Sequence, residues 1–541
     1  MKIRKIVALI IVAALVFSGC SQQTEQKEKP TTSGSNKESK TESNSNQVII
    51  ALEPDYETFD PGRAYEIFAA PVLNGLYDNL LRFIDSTEVP EPYLAKSYEV
   101  SKDGKTFTFK LRDDVKFSSG NKMTSKDVKW SLDRLKNLKG NPSFMAEDIE
   151  KIETPDDYTV NIILSKPDAA FAFKLTGFPF GILDSKTVIA NGGIADENAS
   201  LNDSAEQWLT QNSAGSGPFI LEKYTPNVEV VLKRNDNYWN GPAKVEKVIF
   251  KDMPDSNTQA LMVQKGDIDV AFSLNSDQMK QLEGNSKLNI LSSNTFAMLF
   301  LFMNTDEKIG GPMSNPDVQK AVRYALDYKG MQSMCGEGTI TPQTIIQVGF
   351  LGALPPRDPN YTNIEKAKEL LKKAGYPDGF TIEFNAITHA TEGIKWLNMA
   401  QKVKEDLSKV GINAEIRTMD TTVGYEEYRN ARQGFSIMVW GPDYMDVNNQ
   451  LAFLPGQLVG LRVNWKAEDN PELVKLGDEA LIENNVEKRA AIIKKIQEKM
   501  ADDSPFIPLV QVPKKIAVKK GLKGAEYTEA YKIDVYKLSW D

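Results

Sequence analysis

The sequence predicts an α/β protein. Its second half alternates apolar strand patterns with longer amphipathic helix patterns, which is typical of βαβ units. Its first half is richer in strands and places an Asp103-Gly104 turn between two strand patterns, which is typical of a β-hairpin. With 541 residues, the chain is long enough for two or more domains.

Short-range patterns predict the elements of the first half. Apolar residues at helical spacing predict a helix over 69–81. Strict alternation over 106–111 predicts a strand with one apolar face, paired with 98–100 in the hairpin. Residues 124–127 have the spacing of a capping box and predict the start of a helix. The other elements predicted here are a helix at 256–265 and strands at 48–52, 158–164, 219–221, 228–232, 245–250 and 266–272.

Capping residues mark the helices of the second half. Asn315 and Pro316 suit the N-cap and first position of a helix over 317–327. A second helix begins after Asn363 and ends before Gly375. The other predicted elements are helices at 393–409, from 471 onward and at 486–502, with strands at 298–303, 381–384, 414–416, 507–512 and 516–518.

The N-terminal segment predicts secretion and a lipid anchor. Basic residues precede an apolar run over 6–17, which is shorter than the ~20 residues of a membrane span, so residues 1–19 are typical of a signal peptide. Small residues before Cys20 resemble the bacterial lipobox, which implies lipidation of Cys20. Residues 20–47 predict a disordered tether because they carry almost no apolar side chain. We expect a protein anchored to the cell membrane on its extracellular or periplasmic side; a signal peptide with an incidental cysteine is the alternative.

Composition excludes several classes of partner. A hydrophobic content of 41% and a charged content of 26% are those of an ordinary globular protein. The net charge of −9 gives no electrostatic footprint for nucleic acid or anionic lipid. Of the two cysteines, Cys20 is reserved for the lipid and Cys335 is expected to be a plain small residue. We expect a monomer.

The sequence lacks the residues of the common enzyme classes. His389 is the only histidine, so no two-histidine metal motif can be written, and we interpret it as a surface or satisfied side chain. No nucleophile elbow or phosphate-binding loop is present, and 215–217 is interpreted as a glycine-rich turn rather than an oxyanion loop. We therefore expect no catalytic residues, no metal and no cofactor.

The loop that follows the apolar run 435–439 is the candidate ligand site. In this loop Asp443 would meet a cation, while Trp440 and Tyr444 would supply flat apolar walls. Taken locally, a turn whose aromatic residues pack in the core is the favoured interpretation, since buried aromatic residues are mostly core. Asp443 and Asp446 could form an acid/base pair, but this is a weaker alternative than the interpretation in which one of them binds the ligand and the other stabilises the turn.

Collinear motifs along the chain resemble the solute-binding proteins of peptide-type ABC importers, the oligopeptide, dipeptide and nickel-binding family. The likeness begins at Pro92-Tyr93-Leu94-Ala95-Lys96-Ser97-Tyr98-Glu99-Val100-Ser101-Lys102-Asp103-Gly104. It ends on Trp440-x-x-Asp443-Tyr444, which matches the family's Trp-x-x-Asp-Tyr loop. Between them lie matches at 106–112, 115–117, 124–128, Ser131, 217–219, 234–235 with 238–239, 266–269, 315–327 and 367–371 with 374–376.

The resemblance implies a periplasmic-binding-protein-like type II fold of cluster C, with two lobes, a hinge and an inserted third domain. The first lobe would comprise 48–83, 213–298 and 509–541, the inserted domain 84–212, and the second lobe 299–508. The implied mechanism is closure of the hinge around a ligand, followed by delivery to a membrane permease.

The resemblance also implies a peptide ligand and its contacts. Asp443 would bind the α-ammonium group, Trp440 and Tyr444 would line the channel, and Tyr65 and Glu66 would reach the ligand from the first lobe. Ile437 stands where some oligopeptide binders place a cation. The alternatives are another solute on the same fold, such as an oligosaccharide or a metal chelate, and a receptor that senses a peptide; a hydrolase has little support.

Overall fold

A seven-stranded mixed sheet combines six strands from between residues 47 and 293 with one strand from near the C-terminus. The computed structural model describes residues 46–54, 56–84 and 89–541; the predicted signal peptide, Cys20 and all but the end of the tether lie outside them. Gln47–Leu52 lies near the middle and pairs in parallel with Lys247–Asp252 and Val270–Ala271. In spatial order the strands are Leu288–Ser293, Lys514–Lys519, Val270–Ala271, Gln47–Leu52, Lys247–Asp252, Glu229–Arg234 and Phe219–Thr225.

A five-stranded sheet organises the second half. All six residues of Met298–Met303 are buried, because antiparallel neighbours flank this strand and helices cover the sheet. In spatial order the strands are Ile412–Met419, Phe380–Ile387, Phe435–Trp440, Met298–Met303 and Phe506–Gln511. The helices of this region are Pro316–Ala325, Tyr328–Cys335, Ile364–Lys373, Trp396–Ser408, Thr421–Arg429, Pro471–Ile482 and Val486–Asp503.

A four-stranded antiparallel sheet contains the predicted hairpin. Ala95–Val100 pairs with Thr106–Leu111, and the alternating apolar side chains of the second strand are buried as predicted. Thr159–Leu164 and Ile149–Asp156 complete the sheet, and helix Ser125–Leu138 packs beside it. The capping box of that helix, which joins Thr124 and Asp127, is confirmed.

Two short connections join the seven-stranded and five-stranded sheets. One runs from Leu288–Ser293 to Met298–Met303 and the other from Phe506–Gln511 to Lys514–Lys519. They lie side by side, because the Thr295 hydroxyl donates to the Val512 carbonyl at 2.6 Å and Gln511 Nε2 donates to the Thr295 carbonyl at 2.7 Å. Such paired connections are where a hinge can absorb a change of angle.

Shorter elements complete the described chain. The remaining helices are Ala69–Leu76, Phe171–Lys174, Ser185–Ala190, Ala199–Asn202, Glu206–Gln211, Ser256–Lys265, Ser276–Leu282, Glu307–Gly310 and Leu458–Leu461. Short strand pairs are Leu81–Arg82 with Glu91–Pro92, Ala390–Thr391 with Ile394–Lys395, Leu522–Lys523 with Ser539–Trp540, and Tyr527–Thr528 with Lys532–Ile533. Turns of 3₁₀ helix occur at Asn141–Ala146, Phe178–Phe180, Gly311–Ser314, Val447–Phe453, Ala467–Asp469 and Val535–Lys537.

Three helix boundaries differ from the prediction. The helix expected over 69–81 ends at Leu76, because Tyr77 is extended. The helix expected over 317–327 ends at Ala325, and the Asp327 side chain caps a separate helix by accepting from Gly330 N. The helix expected from 393 begins at Trp396, because the residues before it form a hairpin.

The α/β class is confirmed. No helix within the described ranges has both the length and the apolarity that a bilayer span requires.

Candidate functional site

The loop over 440–446 extends from an interior strand of the five-stranded sheet. Phe435–Trp440 pairs with Met298–Met303 on one side, with Trp440 opposite Met298, and meets Phe380–Ile387 on the other. Its first four residues are buried. The loop therefore begins on a rigid support, which suits a site that must hold its geometry.

The Asp443 carboxylate accepts hydrogen bonds from two neutral groups. The Tyr65 hydroxyl donates to Oδ1, and Asn449 Nδ2 donates to Oδ2 at 3.0 Å. Asn449 Oδ1 in turn accepts from the Asp443 backbone N–H at 3.2 Å, so the Asn449 amide forms hydrogen bonds with both the side chain and the backbone of Asp443. Within residues 46–54, 56–84 and 89–541, no lysine or arginine forms an ion pair with Asp443. The carboxylate therefore keeps acceptor capacity for a cation.

Tyr65 brings the first half of the chain to this loop. It precedes helix Ala69–Leu76, which packs on the seven-stranded sheet, and its ring lies edge-on to Phe144 with centroids 6.3 Å apart. Burial of the hydroxyl, followed by the charge of Asp443, raises the pKa of Tyr65. The phenol therefore stays protonated at neutral pH and acts as a hydrogen-bond donor to the carboxylate.

The Glu66 side chain turns toward the backbone of the preceding residue. Its Oε2 accepts from the Tyr65 N–H at 3.1 Å. No hydrogen bond from Glu66 to the loop is found in the part of the chain that the structure describes. Of the two residues predicted to reach the ligand from the first lobe, the structure thus brings Tyr65 to Asp443 and leaves Glu66 beside it.

Trp440 and Tyr444, which lie on either side of Asp443 in the chain, are half-buried and each packs against a hydrophobic core cluster. The Trp440 ring lies edge-on to Phe453 at 5.0 Å, and its buried Nε1 has no hydrogen-bond partner among the described residues. Lys174 Nζ lies 5.3 Å from the centroid of the Tyr444 ring. Burial, together with nearby carboxylates, raises the pKa of Tyr444.

Asp446 supports the loop, as the sequence predicted. It forms a bidentate pair with Arg489, whose Nη1 donates to Oδ2 at 2.9 Å and whose Nη2 donates to Oδ1. Its Oδ1 also accepts from Asn448 N at 2.8 Å and caps the 3₁₀ helix Val447–Phe453. Both charged side chains are buried. Asp446 is therefore fully engaged within the protein, which separates its role from that of Asp443.

Two arginines near Tyr65 were not identified from the sequence. Their positive charges lower the pKa of Tyr65, against the larger effects of burial and Asp443. Arg462 lies 5.0 Å from the ring centroid of Tyr428, and Arg429 lies 5.6 Å from that of Tyr425. Neither forms an ion pair with a carboxylate among the residues that the structure describes.

Asn449 and Arg489 also went unrecognised as parts of the site. The run Asn448-Asn449-Gln450 directly after the loop was the available signal, because three consecutive amides in a buried segment need partners. Arg489 gave no such signal, since it lies on a charged helix 43 positions from Asp446.

The other sequence candidates do not join the loop. His389 is exposed and lies edge-on to Trp396. Burial raises the pKa of the Cys335 thiol to about 12, which fits an inert small residue. The Ser216 hydroxyl donates to Asp78, and a Cβ on Gly215 would lie 2.0 Å from the Leu76 carbonyl oxygen, so close packing explains this glycine turn.

Metal-ligating side chains do not gather in the described ranges. No group of three or more His, Cys, Asp or Glu residues arranged to hold a metal ion is found there.

Comparison with known proteins places the chain among transport proteins. The family model described as bacterial extracellular solute-binding proteins, family 5 middle, matches residues 89–457. The chain is 26% identical over 485 residues to the probable D,D-dipeptide-binding periplasmic protein DdpA of Escherichia coli, covering 88% of this chain and 90% of that protein. It is 27% identical over 493 residues to the glutathione-binding protein GsiB of Shigella flexneri, covering 88% and 91%.

A solved structure shows the same fold. The periplasmic binding protein DppA of Helicobacter pylori, in complex with the peptide STSA, superposes with a TM-score of 0.75 at 24% identity. The superposition covers 91% of this chain and 98% of that one. The implied periplasmic-binding-protein-like type II fold is therefore confirmed.

Proposed function

This chain belongs to family 5 of the bacterial extracellular solute-binding proteins, and from that premise we propose that it captures short peptides and delivers them to an ABC permease. Like its relatives, it is a binding protein and not an enzyme. DdpA is a probable D,D-dipeptide-binding protein, and the Helicobacter pylori protein was solved with the peptide STSA, so both relatives favour peptides as the class of ligand.

The single observation that carries the proposal is that the Asp443 carboxylate accepts hydrogen bonds from two neutral groups and forms no ion pair within the described residues. A carboxylate offers about four lone-pair sites, and here Tyr65 and Asn449 occupy two of them. Both partners are neutral, so the negative charge is oriented without being neutralised. A ligand α-ammonium, with three donors and one positive charge, complements this group, and the resulting charge-assisted bonds would be strengthened by exclusion of water.

The second charge of a peptide also has candidate partners. Ile437 is apolar at the position where some oligopeptide binders place a cation, but Arg462 and Arg429 lie near Tyr65 without carboxylate partners in the described chain. Either guanidinium can receive a carboxylate through paired N–H donors. We therefore extend the proposal to peptides with a free carboxyl terminus, with Trp440 and Tyr444 as the apolar walls between the two charges.

Closure would follow the division implied by the family. The proposed first lobe is 48–83 with 213–298 and 509–541, the inserted domain is 84–212, and the second lobe is 299–508. Three contacts that cross these boundaries support a closed arrangement: Tyr65 with Asp443, Lys174 with the Tyr444 ring, and the Ala169 N–H with the Leu481 carbonyl at 3.1 Å. A ligand that adds contacts to both sides stabilises this state.

Native mass spectrometry tests the class of ligand. The purified protein is measured intact and then denatured, and any released molecule is identified. Recovery of peptides supports the proposal, and recovery of oligosaccharide or metal chelate alone overturns it. Uptake of a labelled peptide in cells with and without the cognate permease then separates import from sensing, because a receptor for signalling would leave uptake unchanged.

Anchoring through Cys20 is a separate proposal. It rests on the signal-peptide pattern of residues 1–19 and the lipobox-like residues before Cys20. Cells that express the intact chain or Cys20→Ser are labelled with a radioactive fatty acid and fractionated. We expect label and membrane association in the intact chain and neither in the variant. Equal membrane association of both would contradict the anchor.

A further inference from the structure

A cluster of charged side chains, three of them fully buried, surrounds the turn that precedes Tyr65. Arg134, on helix Ser125–Leu138, pairs with Asp60 and Asp203, and Arg63 closes the cluster with its Nη2 at 3.3 Å from Asp203 Oδ1. The side chains of Arg134, Asp60 and Asp203 have no solvent exposure. The Arg63 side chain is 24% exposed and also lies 3.7 Å from Glu206, and its positive charge offsets the excess negative charge of the buried trio.

The geometry of the cluster depends on the guanidinium group of Arg134. Its Nη1 and Nη2 donate to the two oxygens of Asp60 at 2.7 and 2.6 Å. Its Nε and Nη2 donate to the two oxygens of Asp203 at 2.8 and 2.9 Å. One planar guanidinium thus pairs with two carboxylates along two edges, which an ammonium group cannot reproduce.

The cluster fixes the turn that leads to Tyr65. Asp60 Oδ1 accepts from Gly62 N at 3.0 Å, and its carbonyl accepts from Arg63 N and Ala64 N at 3.0 and 2.9 Å. A Cβ on Gly62 would lie 2.7 Å from Leu138 Cδ1, so the turn packs directly on the helix that carries Arg134. Ala64 is buried, and Tyr65 is the next residue.

The same helix also positions the ring that Tyr65 contacts. Phe144 belongs to the 3₁₀ turn Asn141–Ala146, which follows the helix closely and packs on it. The Ser143 hydroxyl of that turn donates to the Leu135 carbonyl at 2.6 Å. The backbone before Tyr65 and the ring beside it therefore share one support.

We propose that Arg134 is a positioning residue for ligand capture: it holds the turn over 60–64 so that the Tyr65 hydroxyl meets Asp443. The inference rests on the proposed function, because Tyr65 matters to the ligand only through Asp443. Arg134 itself touches no ligand and acts through the geometry of the turn.

A double-mutant cycle tests this proposal by calorimetry with a peptide recovered from the protein. The variants are Arg134→Lys, Tyr65→Phe and the two combined. If Arg134 acts through Tyr65, Arg134→Lys weakens binding roughly 2- to 10-fold alone, the scale of one hydrogen bond, and less than about 2-fold in the Tyr65→Phe background. Equal losses in both backgrounds, or no loss in either, would overturn the proposal.

Two further variants separate positioning from general destabilisation. Arg82 is a matched control, since it is also buried and pairs with a carboxylate, Asp534, at 2.7 Å. Arg82→Lys should lower the stability and leave peptide affinity unchanged. If Arg134→Lys does not fold, Gly62→Ala displaces the same turn more mildly and enters the same cycle with the same expectations.

Failure of the cycle differs from failure of the proposed function. If the unmodified protein binds no peptide, the proposed function fails before any variant is compared. If it binds peptide and the two substitutions prove additive, only the positioning role of Arg134 fails.

Discussion

Replacing Asp443 with asparagine removes one charge and one of its two acceptor oxygens, so the hydrogen bond from Asn449 Nδ2 is lost. Asparagine has the same shape, and its carbonyl oxygen can still accept from the Tyr65 hydroxyl. The substitution therefore keeps the loop on its support at Asp446 and Arg489, which bind each other and not Asp443. The part of the loss that appears with a free ligand ammonium and not with an acetylated one then reports the interaction of the charge with the ligand, because the Asn449 contact is lost with either ligand.

The expected loss follows from the surroundings of the carboxylate. A pair of unit charges at about 4 Å gains about 4 kcal/mol at an effective dielectric of 20, and desolvation of both groups offsets part of this gain. Because Asp443 already holds two neutral hydrogen bonds, its reorganisation on binding is small. The net value of a charged hydrogen bond, about 1.5–3 kcal/mol, therefore predicts a rise of roughly 10- to 150-fold in Kd.

The assay compares a peptide with its N-acetylated form by calorimetry. The unmodified protein should prefer the free ammonium, and Asp443→Asn should lose that preference while its affinity for the acetylated peptide changes little. Asp378→Asn is the matched control, because Asp378 is exposed on the same half of the chain and forms no ion pair among the described residues. Equal affinity of Asp443→Asn and the unmodified protein for the free peptide would refute the ammonium assignment.

Further predictions concern charge, stability and reactivity. Arg462→Gln should weaken binding of a peptide with a free carboxyl terminus and leave binding of its amide unchanged; equal losses for both in calorimetry would count against a carboxylate partner. Arg489→Met should lower the free energy of unfolding by about 3–5 kcal/mol in denaturant titrations, because it leaves a buried carboxylate unpaired, and a loss below about 1 kcal/mol would contradict this. Burial opposes ionisation of Asp203, but its hydrogen bonds and charge interactions, chiefly with Arg134, outweigh burial and lower its pKa. The stability that the ionised Asp203 contributes is therefore fully present above the usual aspartate pKa of about 4 and is lost as pH falls through the lower folded pKa. Thermal unfolding across this range should show a smaller loss of stability in Arg134→Lys. Cys335 should react with a thiol reagent at pH 8 only after unfolding, because burial raises its pKa to about 12, and fast reaction in the native protein would contradict this.

The sequence was sufficient where the determinants are local. The hairpin around Asp103-Gly104 and the capping box at Thr124 were correctly predicted, since turn chemistry and side-chain alternation act over a few residues. The helix over 256–265 also has the predicted bounds, because the Asp255 side chain caps its start and Gly266 ends it with a left-handed backbone. These elements would keep their form in many tertiary contexts.

The errors occurred where tertiary contacts decide. Apolar residues continue after Leu76, but the chain extends there because Leu80 and Leu81 pack in a different core cluster from the helix. The site shows the same limit. Trp440 and Asp443 became candidates from the pattern of one loop, whereas the Arg134 cluster joins residues 74 and 69 positions apart and had no signal at short range.

The Tyr65–Asp443 contact also explains how binding and closure can be coupled. The neutral Tyr65 hydroxyl donates to Asp443, and this contact stabilises the arrangement only modestly because one hydrogen bond contributes about 1 kcal/mol net. A ligand ammonium adds a charge to the same carboxylate without displacing the hydroxyl, since lone pairs remain for it. The free energy of the ammonium–carboxylate contact, compared with that of the Tyr65 hydrogen bond, limits how far the ligand can shift the population toward the closed state. On the proposed function, the neutral partners Tyr65 and Asn449 leave the charge of Asp443 to the ligand, so the cargo would contribute more to closure than the Tyr65 hydroxyl does.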